Sequence, residues 1–181
     1  QTMDLTERTL ESKTVYEGVI VRVKLDEAQL PNGKKARREV VEHPGGVAIL
    51  ALDREDNVAV VRQYRYPFHK VLLELPAGKL EPGEDPRVCG VRELEEEVGL
   101  VADEFIYLGG LYLSPGYSNE VLHLYLARGL RQGACHPDED EFLEGERIPF
   151  ARLVNMVMAD EIHDAKTVAA VLKAKVYLER T

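Results

Sequence analysis

Apolar and polar positions alternate over short stretches in the first two-thirds of the chain, and a helical period takes over in three places. Residues 14–24, TVYEGVIVRVK, are β-branched and partly alternating, which predicts one strand. An Asn32-Gly33 turn precedes a second such stretch, Arg38 to Val41, and predicts a hairpin. GVAILAL and NVAVVRQYRY, separated by the turn DRED, read as two central strands of one mixed sheet, and VLLEL as a short strand after them. Over 86–98 the period becomes helical, with Val91, Leu94 and Val98 expected as the buried stripe. Pro86 suits the first helical position and Gly99 the position past the end. EFIYLGGLYLS and EVLHLYLARGL are two further strands joined by SPGYSN, followed by the acid-rich stretch GACHPDEDEFLEGE. Residues 150–159 and 164–178 read as helices, the second with Val168, Val171, Leu172 and Val176 on one side.

Strands on both sides of one short helix, with helices at the end, make the fold class α+β, a mixed α/β sandwich. At 181 residues the chain is long enough for one domain and a small appendage. The appendage is expected at 1–45, a β-hairpin, and the main domain at 46–181. No apolar run reaches the 18 or more residues of a membrane span. The N-terminal stretch QTMDLTERTLESK is polar and mixed in charge, so no secretory leader is expected in it. The two cysteines, Cys89 and Cys135, make no metal or redox spacing and are read as reduced thiols of a cytoplasmic protein. The net charge of −9 argues against a nucleic-acid or anionic-membrane surface. It leaves cations as the partners to look for.

Chemistry concentrates in the helix at 86–98. At 100° per residue, Glu93, Glu96 and Glu97 share a face about 100° wide. Like charges so placed repel, and they lie toward the helix C-terminus, where the dipole disfavours anions. An isolated run of glutamates is ordinarily a solvated face. Here the preceding loop, PAGKLEPGE, offers two glycines, two prolines and backbone groups beside the helix, and Arg92 stands ready to hold a carboxylate. Hard, oxygen-preferring divalent cations such as Mg²⁺ would neutralise the cluster.

Gly78, Glu84, Arg92-Glu93-Leu94, Glu96-Glu97 and Gly99-Leu100 match the Nudix box, GX5EX7REUXEEXGU, at every defined position. The chain therefore resembles the Nudix hydrolases. The resemblance implies a Nudix fold, Mg²⁺ or Mn²⁺ as cofactor, and hydrolysis of a nucleoside diphosphate linked to another group. It implies Glu93 and Glu97 as principal metal ligands, Glu96 as a further ligand or support, and Glu84 as a metal or supporting carboxylate. The carbonyl of Ala77 would add a ligand, and Arg92 would orient the acids.

Several other stretches resemble the ADP-ribose pyrophosphatases of that family. They are Glu74-Leu-Pro-Ala-Gly78, Ser114-Pro115-Gly116, Arg38-Glu39-Val-Val-Glu-His-Pro-Gly-Gly, Arg62-Gln63-Tyr64-Arg65 and Asp164-Ala-Lys-Thr167, with Pro115 placed 15 residues past Leu100. The resemblance implies ADP-ribose as substrate, with AMP and ribose 5-phosphate as products. GDP-mannose or UDP-glucose hydrolysis, and a domain that senses ADP-ribose without cleaving it, are the alternatives. A loop of that group supplies a carboxylate near the attacking water, which implies Glu139 as general base, with Glu141 as alternative or additional metal contact. Arg65 and Arg38 are the candidates for bidentate phosphate contacts. Tyr16, Tyr64 and Tyr117 are candidates for an adenine platform, and Pro115 marks the substrate side. Related pyrophosphatases build the substrate site across two subunits with such an appendage, so a homodimer is expected.

The charge has an address. Residues 81–97 hold seven acids against two arginines, net −5, and residues 138–146 hold six acids and no base, net −6. The rest of the chain carries 21 basic and 19 acidic residues, net +2. The acidity lies in the two segments assigned to metal and water.

Overall fold

The computed structural model describes residues 3–135 and 142–181. The chain divides into two compact units, one of residues 1–45 with 112–121, the other of 46–111 with 122–181.

The first unit is an antiparallel sheet in the order β1-β2-β3, from β1 (Arg8–Glu17), β2 (Arg22–Gln29) and β3 (Lys35–Glu42). The single strand expected over 14–24 is in fact two. The chain reverses at Gly18, whose N–H donates to the Val21 carbonyl at 2.9 Å, and Val19 and Ile20 lie exposed in the turn. Apolar turn residues concealed the break. The Asn32-Gly33 turn is present, with Gly33 at φ +80°, a conformation that favours glycine. Segment 112–121 joins this unit through Val41, which donates to the Tyr117 carbonyl at 2.7 Å and accepts from Asn119 N–H.

The second unit has two sheets. One is mixed, in the order β7-β4-β9-β8, from β4 (Gly46–Ala51), β7 (Ala77–Lys79), β8 (Leu100–Tyr112) and β9 (Val121–Gln132); β4 runs parallel to β9 and antiparallel to β7. The other, β10-β5-β6, is antiparallel, from β5 (Asn57–Arg65), β6 (Lys70–Glu74) and β10 (Leu143–Pro149). Among the described residues the unit also holds three α-helices: α1 (Pro86–Val98), α2 (Phe150–Met158) and α3 (Ala165–Leu178).

Two expectations need correction here. GVAILAL and NVAVVRQYRY do not share a sheet; among the described residues their strand pairing is limited to an isolated bridge, Leu52 to Val58. β4 is buried on both faces, so no polar alternation shows which partners it takes. Its even residues, Ala48 and Leu50, pack with β9, α2 and α3, and its odd residues, Val47 and Ile49, pack with Leu94 of α1. β10 arises partly within the stretch read as polar loop. It is an edge strand with only Ile148 buried, so it carries little apolar signal.

α1 has the ends expected of it. Asp85 accepts N–H bonds from Arg87 and Val88, Pro86 opens the helix, and Gly99 closes it at φ +63°. Its phase differs from expectation. The buried residues are Cys89, Gly90, Leu94 and Glu97, while Val91 is 40% exposed. Gly90 lies against the sheet: a Cβ there would stand 3.3 Å from Phe105 Cε1 and 3.7 Å from Ile49 Cγ1. The closest approach falls at the residue without a side chain, which turns the helix and brings Glu97 inward. α3 is rotated similarly, burying Thr167, Ala170, Val171 and Ala174 and leaving Val176 exposed.

Candidate active site

The site is built on α1 and the strand that precedes it. β7 pairs with β4 through Ala48 opposite Ala77 and Val47 opposite Gly78, and the Pro76 carbonyl accepts from Ile49 N–H at 2.9 Å. This fixes the backbone of 76–78 against the core. Ala77 then donates its N–H to Glu97 Oε2 at 3.0 Å, so the inward turn of Glu97, 7% exposed, ends on a backbone donor. A Cβ on Gly78 would fall 1.8 Å from Glu93 Cδ. Only glycine allows the carboxylate of Glu93 to sit against that backbone.

Arg92 organises the remaining acids. Its Nη1 donates to Glu93 Oε1 at 2.8 Å and to Glu96 Oε2 at 2.9 Å, while Nε and Nη2 reach the two oxygens of Glu84 at 3.1 Å each. The hydrogen bonds from Arg92, then from Glu81 N–H, hold the Glu84 carboxyl below its ordinary value. The Arg92 guanidinium is itself held charged, first by Glu84, with Glu93 and Glu96 adding to it against partial burial. Below them the Cys89 thiol is pushed up to about 12, first by burial and then by the charges of Glu84 and Glu93. It is a packing residue, not a nucleophile.

Three carboxylates, Glu84, Glu93 and Glu96, thus face one guanidinium, and with Glu97 the four acids and Arg92 sum to −3. Among the described residues no three acidic, histidine or cysteine side chains converge on a point ready to hold an ion. Arg92 gathers three of the four, and Glu97 reaches Ala77. The donor chemistry nevertheless fits a hard divalent cation: the oxygens are carboxylate, the excess charge is negative, and Gly78 leaves room beside Glu93. A cavity of about 490 Å³ opens beside Glu97, lined also by Val98, Leu100, Cys135 and the β10 residues Gly145, Glu146 and Arg147.

The other residues singled out from the sequence are placed as follows. Arg38 lies in the first unit, forked onto Glu7 at 2.9 and 2.6 Å. Tyr16 and Pro115 are exposed in that unit, where the Ser114 carbonyl accepts from the N–H groups of Tyr117 and Ser118. Arg65 and Tyr64 lie in the second unit, at the end of β5. Glu139 and Glu141 lie outside the described residues. Reasoning from the sequence assigned no role to Glu74, Asp164, Lys166 and Thr167. They form one polar cluster with the partly exposed Arg65, and their presence in the stretches Glu74–Gly78 and Asp164–Thr167 was the available signal.

The family model for the NUDIX domain matches residues 42–171. The chain belongs to the Nudix family. A second model, the nucleoside diphosphate sugar hydrolase N-terminal domain, matches residues 7–47. The chain is 41% identical over 167 residues to a methanol dehydrogenase activator of Bacillus methanolicus, covering 91% of this chain and 90% of that protein. It is 38% identical over 169 residues to an ADP-ribose pyrophosphatase of Bacillus subtilis, covering 92% and 91%. A crystal structure of an ADP compounds hydrolase superposes with a TM-score of 0.86 over 99% of this chain and 97% of that one, at 23% identity, and so shares the Nudix fold. The protein is a Nudix pyrophosphohydrolase. No helix among the described residues is long and apolar enough to cross a membrane.

Proposed function

We propose that the protein hydrolyses the diphosphate of ADP-ribose to AMP and ribose 5-phosphate. The observation that carries the reading is the Glu97–Ala77 contact, which turns a charged side chain inward at the acidic face of α1. The extent of similarity to an ADP-ribose pyrophosphatase supports this choice of substrate.

Glu93, Glu96 and Glu97 would hold Mg²⁺ or Mn²⁺, with Glu84 and the Ala77 carbonyl completing or supporting the set. Bound there, the cation offsets phosphate charge and lowers the pKa of water. The protein's own contributions are positional. Arg92 keeps three carboxylates on one side of the helix, Gly78 admits Glu93, and Ala77 orients Glu97. Water attacks one phosphorus, the bridging P–O bond breaks, and a carboxylate of the acidic segment, Glu139 in preference to Glu141, takes the water's proton. A homodimer paired through residues 1–45 and a cytoplasmic location, in keeping with two free cysteines, belong to the same reading.

A panel of sugar nucleotides assayed with Mg²⁺ tests it. AMP release from ADP-ribose should exceed turnover of GDP-mannose and UDP-glucose. Rapid turnover of either, with no AMP from ADP-ribose, would overturn the substrate assignment. The similarity to a methanol dehydrogenase activator favours a second reading, in which the same hydrolytic site activates a dehydrogenase. A rise in methanol dehydrogenase rate on adding this protein, lost in Glu97→Gln, would support it.

A further inference from the structure

Among the buried titratable groups, one cluster is not used by the box. Glu74, at the end of β6, is 1% exposed and accepts from Arg65 through both oxygens, Nε to Oε1 at 2.7 Å and Nη2 to Oε2 at 2.6 Å. Lys166, in the first turn of α3, closes on the same carboxylate from the buried side, its own side chain 11% exposed. Lys166 also pairs with Asp164 at 2.9 Å, and Asp164 caps α3 by accepting from the N–H and hydroxyl of Thr167. Thr167 Oγ1 in turn accepts from Leu75 N–H at 2.9 Å. Two acids and two bases, all internally paired, make the cluster neutral.

Its asymmetry is informative. Both bonds from Arg65 to Glu74 use the Nε and Nη2 edge, and Nη1 makes no hydrogen bond among the described residues. The Arg65 side chain is 38% exposed, while both groups behind it are buried. Its charged form is favoured first by Glu74, against burial, and further by the charges of Asp164 and Glu97, so it lies within electrostatic range of the acidic site. A guanidinium held along one edge by a buried carboxylate presents the other edge in a fixed plane, the geometry that bidentate phosphate recognition needs. Lysine could not be held this way.

We propose that Glu74 and Lys166 are positioning residues: Lys166 anchors the Glu74 carboxylate, and Glu74 fixes the plane of Arg65 so that its Nη1 edge meets a phosphate oxygen of the nucleoside diphosphate substrate. This rests on the hydrolase reading above and on Arg65 as a phosphate contact. The cluster also seats the start of the box. Leu75 N–H is tied to α3, and two residues later Ala77 N–H meets Glu97.

The test is a double-mutant cycle on KM, read beside the thermal midpoint, with whichever sugar nucleotide the panel shows to be turned over. Arg65→Gln and Glu74→Gln should each raise KM about 10-fold with kcat within about twofold, as loss of a charge-assisted contact predicts. Because Glu74 acts through Arg65, the double variant should be no worse than Arg65→Gln alone. Lys166→Met should raise KM in the same direction, and Lys166→Arg should restore part of it. Additive KM effects in the double variant, or a Glu74→Gln protein with lowered thermal midpoint and parental KM, would overturn the positioning role. A parental KM in Arg65→Gln would instead sink the phosphate contact itself. If Lys166→Met does not fold, the Arg65–Glu74 cycle decides alone.

Discussion

The backbone N–H of Ala77 and the carboxylate of Glu97 meet at 3.0 Å although 20 residues separate them. One end of that bond belongs to a strand locked to the core and the other to the last turn of α1. Replacing Glu97 by Gln leaves an acceptor for Ala77 but removes a charge from the set that would hold the cation. Activity is expected to fall by about 100-fold or more, with the thermal midpoint nearly unchanged, since metal-derived charge stabilisation amounts to several kcal/mol. Steady-state kinetics with a melting curve checks it; turnover within a few-fold of the parent would refute the ligand role.

Gly78→Ala separates chemistry from folding. The new methyl would fall 1.8 Å from Glu93 Cδ, and a flexible side chain yields more readily than backbone. The protein should fold with Glu93 displaced, its Mg²⁺ affinity measured by calorimetry weakened and its kcat reduced at least 10-fold. Parental Mg²⁺ affinity would show that Glu93 need not stand against that backbone.

Acid should find the Glu74 cluster. Burial opposes the charged carboxyl, yet Arg65 and Lys166 outweigh it and hold the group below its ordinary value. A depressed folded value means that its stabilisation is complete above the unfolded carboxylate range, about pH 4.3, and is lost as pH falls through the folded value. The thermal midpoint of the parent should exceed that of Glu74→Gln at pH 7, and the gap should close on acidification below about pH 4. A gap independent of pH would contradict the ionised pair.

The two cysteines should behave differently. Cys135 is exposed, whereas Cys89 is buried beneath Arg92 with its S–H toward the Lys79 carbonyl at 3.4 Å, its pKa pushed up to about 12. A thiol reagent should label one site quickly in the native protein and two in denaturant, and Cys135→Ser should abolish the fast phase. Two equally fast native thiols would exclude the buried placement.

Much of α1 was legible because its signals are local. Asp85, Pro86 and Gly99 act on backbone groups within one turn, and the spacing of Gly78, Glu84, Arg92, Glu93, Glu96 and Glu97 names the box without reference to any other part of the chain. The hairpin at Asn32-Gly33 was legible for the same reason. The turn at Gly18 was not, since its neighbours Val19 and Ile20 are apolar but exposed. β10 was missed because an edge strand with one buried residue leaves almost no period to read.

By itself the sequence determined helix α1, its ends, its acids and the family they signify, all through interactions reaching a few residues along the chain. Tertiary structure alone decided which sheet β4 and β5 each join, which side of α1 is buried, and that Glu74 lies between Arg65 and Lys166. The physical reason is the same in each case. A strand apolar on both faces, a helix whose closest approach falls on a glycine, and a carboxylate 92 residues from its lysine take their places from packing against distant chain, and no local spacing encodes it.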